Sequence, residues 1–412
     1  MRGMKAGFGK ARITPPLGVE LAGYGYYLER RARGVLDDLY ARCLALECGG
    51  RRALVICCDV LGLRDDVCGE VRAWAEEQGI PGDAVMMVSV HTHTGPAVIY
   101  HEGTGYVNES YVCTLGGMIC EAAREALEDL REVREILFGR ADNPGSIAFN
   151  RAREDGPVDR QVYGFLIRRE GEDLAILSSA CHGVCRDRIP LISADFAGGV
   201  NRNLEEKGLK SIYLNGLCGD IDPRDRGTDA LEAYARSQTD TFLAHLPGFR
   251  SCPLTMRTGC LSFQLNLEHV DSDLIRKAAD HAVRDAGEGS GRARVARLWE
   301  AEMLSRLEAL KDQETYEVRV LCLGGIPILA LPCEGFTEIA LRVRKASGQE
   351  DALVLGCADQ LLGYVPTRDD YRRGAYAALE STFLYRRLPI LEGEAERIGD
   401  SLGADLRVWM EA

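Results

Sequence analysis

The chain has 412 residues, 46% hydrophobic and 27% charged, the balance of a globular protein long enough to bury a large core. Its net charge of −13 argues against nucleic acid or an anionic membrane surface as partner, since both need a positive field. No stretch approaches the roughly 18 apolar residues of a membrane span, and Met1-Arg2-Gly3-Met4-Lys5 leads into no apolar leader segment, so membrane insertion and secretion are not expected.

Fifteen cysteines, an odd number, are scattered through apolar runs such as Ile56-Cys57-Cys58, with no Cys-x-x-Cys pair. They read as small apolar residues of a reduced, cytoplasmic protein. Taken along the chain, strands are expected over residues 41–48, 53–59, 84–90, 135–139, 162–168, 174–181, 211–215, 259–265, 317–323 and 326–331. Helices are expected over 66–77, 109–128, 198–207, 228–245, 274–283, 295–311 and 337–347. The segment 65–77 has apolar spacing near 3.6, with acids early, as a helix start prefers. Strand and helix alternate through the first half, which favours a layered α/β architecture of mixed β-sheets flanked by helices. We expect one catalytic domain over 1–412, with a charged helical excursion on the surface at about 271–314 broken by Gly287-Glu288-Gly289-Ser290-Gly291.

Chemistry concentrates where apolar strands end. Ala84-Val85-Met86-Met87-Val88-Ser89-Val90 runs into His91-Thr92-His93-Thr94-Gly95-Pro96, two of only seven histidines. Residues two apart on an extended chain point the same way, so both imidazoles are expected on one side of the strand end. The design recurs. Strand 174–181 ends in His182-Gly183, strand 326–331 leads through Pro332-Cys333 to Glu334-Gly335, and Ala352-Leu353-Val354-Leu355-Gly356 leads to Gly363-Tyr364-Val365-Pro366. Binding residues gather on such loops because the sheet holds them rigidly. Two neutral imidazoles and a carboxylate make a common catalytic zinc set. Each member also has a plain reading: a satisfied polar histidine, a helix-capping Glu334, a packing Tyr364. Pattern alone leaves both open. Asn215-Gly216-Leu217-Cys218-Gly219-Asp220-Ile221-Asp222-Pro223 reads either as a turn or as a loop whose backbone approaches a ligand.

Together these phrases resemble the neutral, non-lysosomal ceramidase family across nearly the whole chain. The likeness starts at Gly9-Lys10-Ala11-Arg12-Ile13-Thr14-Pro15-Pro16. It continues through Asn150-Arg151, Ala180-Cys181-His182, Ser193-Ala194-Asp195-Phe196 and Gly219-Asp220-Ile221-Asp222-Pro223. It ends with Glu334-Gly335-Phe336-Thr337-Glu338, Tyr364-Val365-Pro366-Thr367 and Tyr376. The resemblance implies a zinc amidase acting on N-acyl bonds. It implies His91, His182, Glu334 and Tyr364 as zinc ligands and His93 as the histidine beside the activated water. Arg151 and Tyr376 are implied as the pair that polarises the substrate carbonyl. Two departures stand out. Asp222 replaces the serine of the family's Gly-Asp-x-Ser-Pro phrase, leaving for Asp222 a role in positioning substrate or a proton. Nor is the family's immunoglobulin-like carboxy-terminal domain expected within these 412 residues. The expected function is therefore zinc-dependent hydrolysis of an amide or ester in a soluble N-acyl compound. The alternatives are a true ceramidase or N-acyl-lipid amidase, and a catalytically silent metal-binding homologue. The oligomeric state is not legible.

Overall fold

The computed structural model describes residues 3–143 and 147–412; the first two residues of the amino-terminal stretch lie outside them. The largest sheet runs, in spatial order, Lys210–Asn215, Leu174–Ser179, Gln161–Arg169, Arg131–Asp142, Lys5–Arg12, Tyr40–Cys48, Arg51–Cys58 and Val85–Ser89, with Arg250–Cys252 paired beside Arg131–Asp142. The outermost pair at each end is parallel and the inner pairs are antiparallel. Its middle is weak: Lys5–Arg12 meets Arg131–Asp142 only at Lys5↔Glu132 and Ala6↔Arg131. There the sheet bends until its two ends meet. Leu44, Val55 and Met86 from one half share a core with Phe165, Ile176 and Leu214 from the other. At the meeting point the buried Asn215 side chain donates to Val90 O (3.1 Å) and Cys181 O (3.0 Å).

Side-chain alternation explains why these strands read as unbroken apolar runs. Leu44, Leu46, Val55 and Cys57 face the inner core. Cys43, Ala45, Leu54 and Ile56 face outward, under helices Asp65–Glu77 and Glu109–Glu128. Both faces are buried, so both alternate sets are apolar. Helices Asp195–Glu205 and Thr228–His245 cover the other half through Phe196, Leu231 and Phe242.

A second sheet orders Met256–Asn266, Gln313–Leu323, Ile326–Ala330 and Leu353–Leu355. Its alternation sends Leu321, Ile328 and Leu355 to the first core, and Val320, Leu329 and Val354 to another beneath helices Thr337–Ser347 and Glu394–Glu411. The excursion at 271–314 is a helical hairpin, Ser272–Ala286 and Gly291–Ser305, capped by Asp271 and Ser290. It is more than a surface addition: Ile275, Val283, Val295 and Trp299 lie in that same core. The sheets meet at strand ends, through isolated bridges Val88↔Ala358 and Gly216↔Leu355, while Thr92↔Gly183 joins the two ends of the large sheet. All fifteen cysteines are free and most are buried; Cys181 and Cys185 belong to the core. Among the described residues no helix is long and apolar enough to cross a membrane.

Candidate metal centre

The strand Val85–Ser89 stops before His91, which takes up a left-handed backbone with φ of 63°. The expected extended presentation of His91 and His93 is therefore not what the fold uses. The chain turns at His91, a conformation histidine tolerates better than most residues, and the two rings meet edge to face 5.0 Å apart. The loop carrying His182 passes directly below. His93 N–H donates to Gly183 O at 2.9 Å, and a Cβ on Gly183 would stand 2.6 Å from His91 O, so only glycine permits the approach. His182 then lies 4.7 Å, ring to ring, from His91.

Two backbone carbonyls set the tautomers. His91 Nδ1 donates to Leu61 O (2.7 Å) and His182 Nδ1 to Cys218 O (2.5 Å). A carbonyl only accepts, so the proton sits on Nδ1 and each Nε2 presents a lone pair. Both lone pairs face Glu334 Oε2, at 3.1 and 3.2 Å. Glu334 arrives from the short strand Glu334–Gly335, whose parallel partner is Tyr364–Val365 with Glu334 opposite Tyr364. That register places Tyr364 Oη 3.3 Å from His182 Nε2. The other carboxylate oxygen, Oε1, accepts from the Tyr385 hydroxyl. Nothing in the local sequence marked Tyr385, which directly follows the short helix Glu380–Leu384.

His93 completes the group. The ligand atoms of His91, His93 and His182 all lie within 4.8 Å of one another. Its ring packs beside Tyr24 (5.1 Å), under Gly23, where a Cβ would fall 2.4 Å from the imidazole. Burial, reinforced by His91 and His182, pushes His93 well below its usual pKa and keeps it neutral. Burial alone would raise the Glu334 carboxyl, but in the metal-free chain positive charge on the facing imidazoles, when they take up a second proton, outweighs it and holds Glu334 well below the usual range. His91 Nε2, both His93 nitrogens and Glu334 Oε2 are buried without a hydrogen-bond donor or acceptor. Acceptor atoms aimed at one another in a dry pocket need a cation among them. Three imidazole nitrogens with carboxylate and phenol oxygens suit a divalent transition ion.

Beside this cluster lies Arg151. Its guanidinium donates to Gly219 O (3.1 and 2.9 Å) and to Tyr364 Oη (2.8 Å), and Nη1 lies 3.3 Å from Asp222 Oδ1. The pairing of Ala148–Asn150 with Ile221–Pro223 sets Asp222 opposite Phe149 and so close to Arg151. Asp222 also accepts from Arg226 at 3.1 Å. Asp220 fastens the loop from below: Oδ1 accepts from Thr337 N–H (2.8 Å) and Oδ2 from Asn150 (2.7 Å). Tyr376, 41% exposed, stands at the rim with its ring 5.9 Å from that of Tyr364. All eight residues singled out in the sequence are thus brought together, with Tyr376 at the exposed rim. The sequence reading omitted Tyr385, the Asp220 anchor and the two orienting carbonyls, which carry no side-chain signal.

No family model and no curated protein sequence matches this chain. Solved structures do match. A neutral ceramidase from Pseudomonas aeruginosa aligns with a TM-score of 0.76 over 99% of this chain and 75% of that one, at 17% identity. A ceramidase complexed with C2 gives 0.75 at 16% identity, with the same coverage. The fold is neutral-ceramidase-like. In this ceramidase-like fold the metal-capable histidines sit where both sheets end, at loops anchored by buried strands.

Proposed function

We propose that the chain is a zinc-dependent hydrolase that cleaves the amide, or a related ester, of a soluble N-acyl compound. The observation that carries this reading is the buried group of His91, His93 and His182 facing Glu334, in which His91 Nε2, both His93 nitrogens and Glu334 Oε2 have no partner. The likeness to ceramidase structures supports amide hydrolysis in particular. His91, His182, Glu334 and Tyr364 would hold the ion, with His93 at its open side. A zinc ion so held supplies Lewis acidity, polarising a carbonyl and making water a stronger acid.

The chain's own residues do the rest. Neutral His93, with both ring nitrogens free, takes a proton from the attacking water and returns it to the leaving nitrogen. Arg151, fixed by Gly219 O and Asp222, directs its charge at the oxyanion of the tetrahedral intermediate, with Tyr376 as second donor. Asp222 thus acts by holding Arg151 and Arg226 in place.

The test is metal content by elemental analysis, on wild type and His182→Ala together, followed by a hydrolysis screen. About one zinc per chain, absent from His182→Ala along with all turnover, is the expected result. A variant that keeps both zinc and activity would overturn the ligand assignment. Zinc without turnover of any amide or ester would favour a silent metal-binding protein. Faster cleavage of a short-chain ceramide than of soluble N-acyl compounds would favour a ceramidase, a reading that the fold and the exposed Tyr376 and Leu379 support.

A further inference from the structure

The rim of the metal centre is formed by two loops: residues 23–30, which cover His93, and residues 183–190, which follow His182. Tyr24 stands between them with its ring 5.1 Å from that of His93. Two guanidinium groups lie over the Tyr24 ring, Arg30 at 4.7 Å and Arg188 at 5.6 Å. Arg30 is buried and donates only to neutral carbonyls, Ala22 O (2.5 Å), His93 O (2.9 Å) and Ile189 O (3.4 Å). Arg188 is exposed, and among the described residues it has no carboxylate partner.

The acids nearby are already engaged. Asp187 pairs with Arg226 at 3.3 Å. Asp222 is shared by Arg226 and Arg151. Asp195 accepts from the N–H groups of Cys185 (3.1 Å), Arg186 (2.8 Å) and Phe196 (2.8 Å). The Tyr24 hydroxyl is buried with no partner at all. Two like charges therefore share one aromatic ring with no carboxylate paired directly to either, the nearby Asp187 being engaged by Arg226, on a chain whose net charge is −13. Such an arrangement repels itself until an anion arrives, and a guanidinium fork matches a carboxylate in shape as well as charge. The two ring distances keep the Arg188 guanidinium within about 11 Å of His93.

We propose that Arg188, with Arg30 and the Tyr24 ring, forms a subsite for a carboxylate carried by the substrate a few bonds from the scissile amide. The proposal rests on the hydrolase reading above and narrows it to acidic N-acyl compounds. The carboxylate has two possible sources, the α-carboxylate of an amino-acid leaving group or the free end of a dicarboxylic acyl group.

Three probes distinguish them: N-acetylphenylalanine, N-succinylphenethylamine and the uncharged N-acetylphenethylamine. The zinc-loaded protein is expected to favour one carboxylate probe over the neutral one by at least about tenfold in kcat/KM, carried by KM. Arg188→Ala is expected to abolish that preference, Arg188→Lys to restore part of it, and rising salt to shrink it in wild type. An equal preference in wild type and Arg188→Ala, or a best substrate without a carboxylate, overturns the subsite. If no probe is cleaved, the hydrolase reading fails separately, and calorimetric binding still decides the subsite. Carboxylate probes binding about tenfold tighter to wild type than to Arg188→Ala uphold it; equal binding overturns it.

Discussion

At Glu334 one hydrogen bond decides which oxygen faces the imidazoles. Tyr385 donates to Oε1, which leaves Oε2 turned toward His91 and His182. Removing the hydroxyl frees the carboxylate to rotate and lose its aim, and groups that orient a metal-binding side chain typically matter by roughly 10- to 100-fold in affinity. Tyr385→Phe is accordingly expected to weaken zinc binding by that factor, measured by competition with a chelator of known affinity. A loss under about twofold would show that packing alone holds the carboxylate. His91, His182 and Glu334 were legible because each follows an apolar strand beside glycine or proline. Tyr385 was not, since Leu384-Tyr385-Arg386 looks like any packed aromatic turn, and its task exists only once the chain brings it back to Glu334.

Glycine misleads most at the scale of the element. Lys5–Arg12 is a central strand, yet Gly7 and Gly9 give it the look of a loop. The structure explains both: a Cβ on either would stand 2.0 Å from a carbonyl oxygen of helix Glu109–Glu128, Ala126 O or Ala122 O. The helix lies so close to the strand that a hydrogen is all that fits. Gly9→Ala is expected to cost about 3 kcal/mol, the upper part of the range for overpacking a tight core, in urea unfolding of the metal-free protein. A cost below about 0.5 kcal/mol would mean that the helix moves aside freely. The helix Glu394–Glu411 was missed for the same reason. Gly399 and Gly403 lower the helix propensity of this segment, but they let the helix settle on Thr337–Ser347, where Cβ atoms would approach Ile339 O at 3.2 Å and Val343 O at 2.8 Å. The helices on the other side of these contacts, Glu109–Glu128 and Thr337–Ser347, were read to the residue, as was Thr228–His245.

For the whole molecule, the α/β layering was readable from alternation, whereas the bend that brings the ends of the large sheet together was not. It depends on a two-residue junction and on Asn215 bonding across the gap. Global unfolding also exposes His101, whose ring lies 4.3 Å from that of Tyr385 and whose Nε2 is buried without a partner. Burial pushes its pKa down to about 4. The unfolded chain therefore binds this proton more readily, and stability rises with pH between about 4 and 6.5. In zinc-free protein this group is expected to withdraw up to about 3 kcal/mol as pH falls through that window. Urea unfolding of wild type and His101→Gln at pH 4.5 and 7 checks it; equal acid sensitivity would exclude the assignment. The convergence of strand ends has one more consequence, for the order of events in synthesis. The ribosome delivers His91 and His93 roughly 240 residues ahead of Glu334, so a nascent chain offers imidazoles but no complete cage. An ion bound as proposed would load only after Glu334 has been made, and it would fasten the second sheet to the first.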